Sequence, residues 1–168
     1  LGWLAGSLGA SSDVWGLGGG AGGVRAGAGP GHIRDAAAVM SKYVSGLAIR
    51  HKSRGGSWEV GREDEGIRAW ATHARVPVIN METIVHPCQE LAMMLALKER
   101  IGDVAKRKMV LTWTWHPRPL NTAVANSDLL MGTKFGMDVT LLCPEPDYIL
   151  DSQFMDQAKA NATASGGS

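Results

Sequence analysis

Helical and extended patterns alternate from His32 to the end of the chain, and this alternation limits the folds that the chain can adopt. In HIRDAAAVMSKYVS, Ile33, Met40 and Val44 recur at helical spacing, and GLAIR then has the short apolar run of a buried strand. Three further pairs and a closing helix follow: EDEGIRAWATHA with VPVINME, HPCQELAMMLALKERIG with MVLTWTW, PLNTAVANSDLLMGTKFG with MDVTLLCP, and DSQFMDQAKANATA. Helices that alternate with strands predict an α/β fold in which parallel sheets carry helices on both faces.

The helix that begins in HPCQ is expected to cross from one half of the fold to the other. Pro87 suits its first position, because the ring already sets φ to a helical value. Its apolar residues are predicted to lie in the core: Leu91, Met93, Met94, Leu95 and Ile101. The basic segment at 103–108 follows, so we predict a domain boundary after residue 102.

The charge of the chain is nearly balanced, with 17 basic and 16 acidic residues and a net charge of +1. This balance provides no electrostatic footprint for nucleic acid or for a membrane surface. No apolar run approaches the about 18 residues that span a bilayer, and no secretion signal is visible. Cys88 and Cys143 form no disulfide framework, which favours a reducing compartment. We therefore expect a cytoplasmic protein that binds neither nucleic acid nor membrane.

The stretch GLGGGAGGVRAGAGPG contains glycines in the order G-x-G-x-x-G, at Gly18, Gly20 and Gly23. A dinucleotide loop needs a strand before these glycines and a helix directly after them. No β-rich run precedes them, and Pro30 and Gly31 delay the helix. The pattern therefore favours a surface loop over a dinucleotide site.

The tetrapeptide HPCQ carries the strongest chemical signal. If His86 caps the helix, the side chains of His86 and Gln89 lie around its N-terminus, where unpaired N–H groups favour an anion or a developing oxyanion. An imidazole can donate to a carbonyl oxygen, and a glutamine amide both donates and accepts. The pair is suited to a carbamoyl or urea-like group. The alternative is that His-Pro only caps the helix.

Two charged residues precede this helix. Arg50 ends the first predicted strand, at the edge where open α/β sheets bind ligands, and its guanidinium can donate to a carbonyl oxygen or a phosphate. Glu82 can act as a base or hold an amine, unless it is an ordinary solvated residue. His51, His73 and His116 have no metal-ligand spacing, so no metal site is predicted.

Three long segments resemble a known family. VPVINMETIVHPCQELAMMLALKE, MVLTWTWHPRPLNTAVANS and GMDVTLLCPEPDYILD are similar to carbamoyltransferases of the aspartate/ornithine superfamily. H-P-x-Q indicates carbamoyl transfer in general, whereas TWTWHPRPLNTAVANS indicates the branch that acts on N-acylated ornithine. The resemblance implies that residues 1–102 are part of a carbamoyl phosphate-binding domain and residues 103–168 part of an acylornithine-binding domain.

The implied reaction transfers the carbamoyl group from carbamoyl phosphate to the δ-amine of N-acetylornithine, in arginine biosynthesis, with N-succinylornithine as the alternative acceptor. The resemblance assigns Arg50 and His86 to the carbamoyl oxygen and Gln89 to the carbamoyl nitrogen. The backbone around Pro87 and Cys88 completes the carbamoyl phosphate site. No metal or organic cofactor is implied, because catalysis rests on positioning and electrostatics.

Three further residues receive roles from the resemblance. Glu82 matches a residue that contacts the acylornithine. Trp15 matches a loop tryptophan that family members lend to the carbamoyl phosphate site of a neighbouring subunit in a homotrimer, so the glycine-rich loop at 16–31 is predicted to be an intersubunit loop. Pro30 falls where acetyl-specific enzymes have glutamate and succinyl-specific relatives have proline, and a carboxylate there would repel the succinyl carboxylate.

The family's phosphate-binding Ser-x-Arg-Thr segment would lie before Leu1, and its Cys-Leu-Pro substrate region beyond Ser168. We therefore expect a fragment that is inactive by itself. Two other hypotheses stay open at this point. A non-catalytic carbamoyltransferase relative would fail to bind carbamoyl phosphate, and a dinucleotide-binding protein would bind NAD.

Overall fold

The computed structural model describes residues 33–50, 58–114, 117, 122–144 and 146–168. Within these ranges the chain forms six α-helices, four β-strands and one short 3₁₀ turn. In chain order the helices and strands are α1 Ile33–Met40, β1 Leu47–Arg50, α2 Trp58–Gly61, α3 Glu65–His73, β2 Val78–Glu82, α4 Pro87–Ile101, β3 Lys108–Thr112, α5 Ala123–Lys134, β4 Asp138–Leu142 and α6 Ser152–Ser165.

The described strands form two parallel pairs. β1 pairs with β2, and β3 pairs with β4 in a continuous register that sets Lys108 opposite Asp138. Helices join the strands of each pair, as parallel neighbours require. The predicted α/β fold with parallel strands is therefore confirmed.

The β1–β2 pair packs on a core that α1 and α3 complete. Ile33 and Ala37 of α1, Leu47 of β1 and Trp70 of α3 are buried together. Val44, which the sequence pattern placed on α1, follows the end of that helix and packs against the same core from the loop. This core fixes the two strands, and with them the edge at which both strands end.

Two further clusters support the β3–β4 pair. Leu111 of β3, Leu129 of α5 and Ala158 of α6 are buried in one of them. Met94 of α4 packs with Val104 and Met137 in the other. α4 is therefore anchored to the part of the chain that follows residue 102.

The predicted start of α4 and the predicted glycine after α5 agree with the structure, whereas α1 ends at Met40 and not beyond Val44. Pro87 is the first residue of α4, and Gly136, with φ of 74°, follows α5 in the left-handed conformation that glycine tolerates. The Asp151 side chain caps α6 by accepting a hydrogen bond from the Gln153 N–H at 2.9 Å. None of the helices in the described ranges is long and apolar enough to span a membrane.

The prediction of a uniformly buried apolar face on α4 is wrong in part. Leu91, Leu95 and Ile101 are about half exposed or more in the described structure, whereas Met94 is buried. Met93 is partly buried against the same cluster as Met94. The physical reason is that the described elements pack against another stripe of the helix, which holds Met94 and the buried carboxyl side chain of Glu90.

Candidate functional site

The carboxyl ends of β1 and β2 meet the N-terminus of α4 at one edge of the first strand pair. Parallel pairing sets Arg50, the last residue of β1, opposite Glu82, the last residue of β2. Five positions after Glu82, Pro87 begins α4. The strand register and the short connection therefore bring the predicted site residues together, although Arg50 and His86 are far apart in the sequence.

Glu82 lies at the centre of this arrangement. Its Oε2 atom forms an ion pair with Arg50 Nη2 and lies 3.7 Å from His86 Nε2. The Glu82 side chain is 7% exposed, whereas that of Arg50 is 56% exposed. The alternative of a solvated Glu82 is therefore wrong, because pairing with the guanidinium compensates the burial of the carboxylate.

His86 occupies the cap position of α4 but does not cap it with its side chain. Its imidazole lies beside Glu82 instead, and its Nδ1 atom is buried without a hydrogen-bond partner in the described part of the chain. The alternative that His86 serves only as a capping residue is therefore not supported. Its ring remains available for a ligand.

α5 holds the backbone of the loop that carries His86. The His86 N–H donates to Ser127 Oγ at 2.5 Å, and Asn126 Nδ2 donates to the Ile84 carbonyl at 2.9 Å. Both α5 side chains are buried. Sequence reasoning missed these two residues, although polar side chains inside the apolar pattern AVANSDLL are the signal that could have found them.

The other side of the loop is held by a chain of hydrogen bonds. Asn80 Nδ2 donates to Thr83 Oγ1 at 2.9 Å, and Thr83 Oγ1 donates to Asp64 Oδ2 at 2.6 Å. The Cys88 thiol lies 3.5 Å from the Asn80 carbonyl. The loop between β2 and α4 is thus fixed by Asp64 directly before α3, by β2 and by α5, which is the preorganisation that a transition-state site requires.

The remaining predicted site residues fall into two groups. Cys88 and Gln89 lie in the first turn of α4, and Gln89 is exposed. Trp15 and Pro30 lie outside the described residues.

The geometry suits an anion or a polarised carbonyl group. Arg50 and His86 present nitrogen atoms at the N-terminus of α4, where the helix dipole adds a partial positive charge. The buried Glu82 carboxylate between them can accept hydrogen bonds from an amine. Donors for an oxyanion and an acceptor for an amine are the groups that acyl-type transfer to an amine needs.

The chain matches known carbamoyltransferases. The family described as aspartate/ornithine carbamoyltransferase, carbamoyl-P binding domain, matches residues 17–99. The N-acetylornithine carbamoyltransferase of Xanthomonas campestris pv. campestris is 55% identical over 139 residues, which cover 82% of this chain and 41% of that enzyme. The ornithine carbamoyltransferase of Methanoculleus marisnigri is 35% identical over 129 residues, covering 76% of this chain and 36% of the relative.

Solved structures show the same relationship. A crystal structure of acetylornithine transcarbamylase complexed with acetylcitrulline matches with a TM-score of 0.86 and 47% identity, over 99% of this chain and 53% of that one. The present chain spans only 41% of the length of its Xanthomonas campestris relative. The family match and the identity to these relatives show that the chain belongs to the aspartate/ornithine carbamoyltransferase family.

Proposed function

We propose that the chain provides the carbamoyl-transfer site of an N-acetylornithine carbamoyltransferase. Such an enzyme transfers the carbamoyl group of carbamoyl phosphate to the δ-amine of N-acetylornithine and forms N-acetylcitrulline and phosphate. The observation that carries the proposal is the meeting of Arg50 and His86 at the Glu82 carboxylate, beside the N-terminus of α4. The identity of 55% with an N-acetylornithine carbamoyltransferase supports the choice of acceptor.

In the proposed reaction, Arg50 and His86 donate hydrogen bonds to the carbamoyl oxygen. The amine nitrogen attacks the carbamoyl carbon, and negative charge develops on that oxygen in the tetrahedral intermediate. Fixed donors stabilise this charge more than they stabilise the neutral carbonyl group, and the difference lowers the barrier. Gln89 holds the carbamoyl nitrogen, and the backbone around Pro87 and Cys88 completes the site.

The intermediate collapses when the bond between the carbamoyl carbon and the phosphate oxygen breaks. Phosphate leaves with the electron pair of that bond and takes up the proton that the attacking nitrogen loses, and the new C–N bond remains. Glu82 contacts the acylornithine in this scheme. Its buried carboxylate favours a site for the attacking amine, because an amine can donate to the same oxygen that Arg50 and His86 now approach.

The finer assignments belong to the same proposal. Residues 1–102 contribute to a carbamoyl phosphate-binding domain, and residues 103–168 contribute to an acylornithine-binding domain. Trp15 and the glycine-rich loop at 16–31 serve the site of a neighbouring subunit in a cytoplasmic homotrimer. Family membership supports these assignments, and arginine biosynthesis is the pathway.

N-succinylornithine is the second candidate acceptor. The resemblance to the family matches Pro30 with the position where acetyl-specific enzymes have glutamate, and proline removes a carboxylate that would repel the succinyl group. A transcarbamylase variant in which proline replaces a glutamate was solved in complex with carbamyl phosphate and N-succinyl-L-norvaline, with 47% identity to this chain. That complex supports a test of both acceptors.

A chimera tests the proposal. This chain replaces the matching segment of the Xanthomonas campestris enzyme, and product formation is measured with carbamoyl phosphate and N-acetylornithine. We expect carbamoyl phosphate-dependent N-acetylcitrulline, a large loss in His86→Ala and little change in His73→Ala, because His73 lies on α3. A folded chimera that binds carbamoyl phosphate without turnover with either acyl acceptor would contradict the proposal. Absence of binding would indicate a non-catalytic relative.

A further inference from the structure

A buried carboxyl group lies one turn into α4, next to the candidate site but without a role in it. Glu90 is 0% exposed. Within the described part of the chain, neither of its side-chain oxygens accepts a hydrogen bond. The carboxyl of Asp128, on α5, is within hydrogen-bonding reach, and burial together with Asp128 raises the pKa of Glu90 to about 8.

Elementary electrostatics limits the protonation states of this pair. An ionised carboxylate that is buried without donors loses its hydration and gains nothing in exchange. Two carboxylates in contact also repel each other, so one of them keeps its proton. A protonated carboxyl can donate to a neighbouring carboxylate, and such charge-assisted hydrogen bonds are short and strong.

We propose that Glu90 and Asp128 share one proton, and that the hydrogen bond between their carboxyl groups fixes the first turn of α4 against α5. Glu90 is then a positioning residue, because it acts on His86 and Gln89 through the helix that carries them. The shared proton is independent of the proposed function. Only its consequence for carbamoyl transfer rests on that function.

α5 also holds the segment that precedes Glu90. Its residues 126–128 lie against successive parts of residues 84–90. Asn126 binds the Ile84 carbonyl, and Ser127 accepts from the His86 N–H. Asp128, the next residue on α5, lies near enough to Glu90 to raise the pKa of its carboxyl group. The carboxyl pair is therefore the last of three attachments between α5 and the segment at 84–90.

Among the described residues, no ion pair joins Glu90 to a positively charged group. α4 packs against α5 and β2. The titratable groups on the facing elements are Asp128 on α5 and Glu82 at the end of β2, while His86 lies one turn earlier and Lys134 lies in the last turn of α5. Loss of the shared proton thus leaves two like charges in contact, which weakens the packing of α4 on α5.

The sign of the pH dependence follows from the folded and unfolded proton affinities. The pKa of Glu90 rises from 4.5 to about 8 on folding, so the folded state binds more protons between these values. The stability that the protonated Glu90 carboxyl group contributes is therefore fully present below pH 4.5 and is lost as the pH rises through about 8. This is the opposite of the behaviour of an ordinary salt-bridged carboxylate.

The test uses the purified chain. Infrared spectra at pH 7 should show a protonated carboxylic acid, and unfolding should become easier as the pH rises through about 8. Glu90→Gln keeps a donor for Asp128 and should remove both signals, whereas Glu99→Gln, an exposed change on the same helix, should keep both. Asp128→Asn should also remove the infrared band, because its amide can donate to an ionised Glu90.

A separate measurement tests whether Glu90 positions His86. Hydrogen exchange of the His86 amide above pH 8 should be faster in the wild-type chain than in Glu90→Gln at the same pH. The inference is overturned if no carboxylic acid band is present at pH 7, if the band survives in both amide variants, or if His86 exchange is equal. A chimera without turnover overturns the proposed function but leaves these titrations unchanged.

Discussion

The His86 N–H and the Ser127 hydroxyl are joined by a hydrogen bond of 2.5 Å between residues that are 41 positions apart. His86 lies directly before the candidate catalytic helix α4, and Ser127 lies on α5, beyond the predicted domain boundary. A contact of this kind makes the site depend on both halves of the chain. It also supplies the first test of how the site is held.

Ser127→Ala should lower the free energy of unfolding by about 1 to 3 kcal/mol, because the partly buried His86 N–H loses its acceptor. The matched control is Ser152→Ala at the exposed first residue of α6, which should change stability by less than about 0.5 kcal/mol. Urea denaturation measures both. Equal stabilities for the two variants would show that the bond has no role in holding the loop.

Arg50→Ala tests the oxyanion role within the chimeric enzyme. We expect kcat to fall by about 100-fold or more, as for the removal of other oxyanion donors. Arg68→Ala, an exposed arginine on α3, is the control and should leave kcat within about twofold. An unchanged rate in the Arg50 variant would remove this residue from the mechanism.

Most elements followed from local pattern, because helices and strands impose their own spacing on apolar residues. The helix from Pro87 and the strand ending at Arg50 appear where the sequence predicted them. α2, at Trp58–Gly61, was missed because it is a single turn within a polar segment and has no buried residue of its own. Short helices of this kind depend on tertiary contacts more than on periodicity.

The site was predictable only in its residue types. HPCQ and the strand-end position of Arg50 identified two groups, but neither predicted that both approach Glu82 Oε2. That meeting depends on the register of β1 on β2. The attachment of the loop to α5 and the burial of Glu90 are likewise tertiary facts, because the partners lie about 40 residues away.

The stability that Asp151 contributes should depend on pH in the opposite direction to that of Glu90. Its carboxylate accepts from Trp58 Nε1 at 2.6 Å and from the Gln153 N–H at 2.9 Å, and Arg62 lies 3.3 Å away. These contacts hold the pKa of Asp151 below 3.8. The hydrogen bond from Trp58 has the largest effect, followed by the hydrogen bond from Gln153 and the charge of Arg62. The resulting stability is present above 3.8 and is lost as the pH falls through the lowered pKa.

Asp151→Asn separates this charge from the helix cap. Asparagine caps a helix about as well as aspartate, so the variant should retain α6 while losing the part of acid destabilisation that Asp151 contributes. Thermal unfolding from neutral pH to below 3.8 measures the difference. Asp156→Asn, at an exposed position of α6, is the control and should keep the wild-type acid dependence. The same acid dependence in both variants would contradict the assignment.

Gly132 tests the packing of α5 on the second strand pair. A Cβ atom at this position would lie 3.0 Å from Met109 Sδ and from Val139 Cγ2. Gly132→Ala should therefore lose about 1 to 3 kcal/mol by overpacking, only partly offset by the about 1 kcal/mol gained in helix propensity. Gly61→Ala, which meets nothing within 4 Å, should be neutral or stabilising in the same urea experiment. A stabilised Gly132 variant would show that the side chains of Met109 and Val139 move aside at little energetic cost.

Acyl selectivity is tested at Pro30 in the chimera, by comparing kcat/KM for N-acetylornithine and N-succinylornithine. Pro30→Glu should shift the ratio toward the acetyl substrate, because the added carboxylate repels the succinyl carboxylate and leaves the neutral acetyl group unaffected. Pro30→Gln is the matched control, since it adds the same length without the charge. Two like charges within about 4 Å at a protein surface cost up to about 4 kcal/mol at low salt, so the shift should shrink as salt is added. Equal ratios in the Glu and Gln variants would show that charge at this position does not select the acyl group.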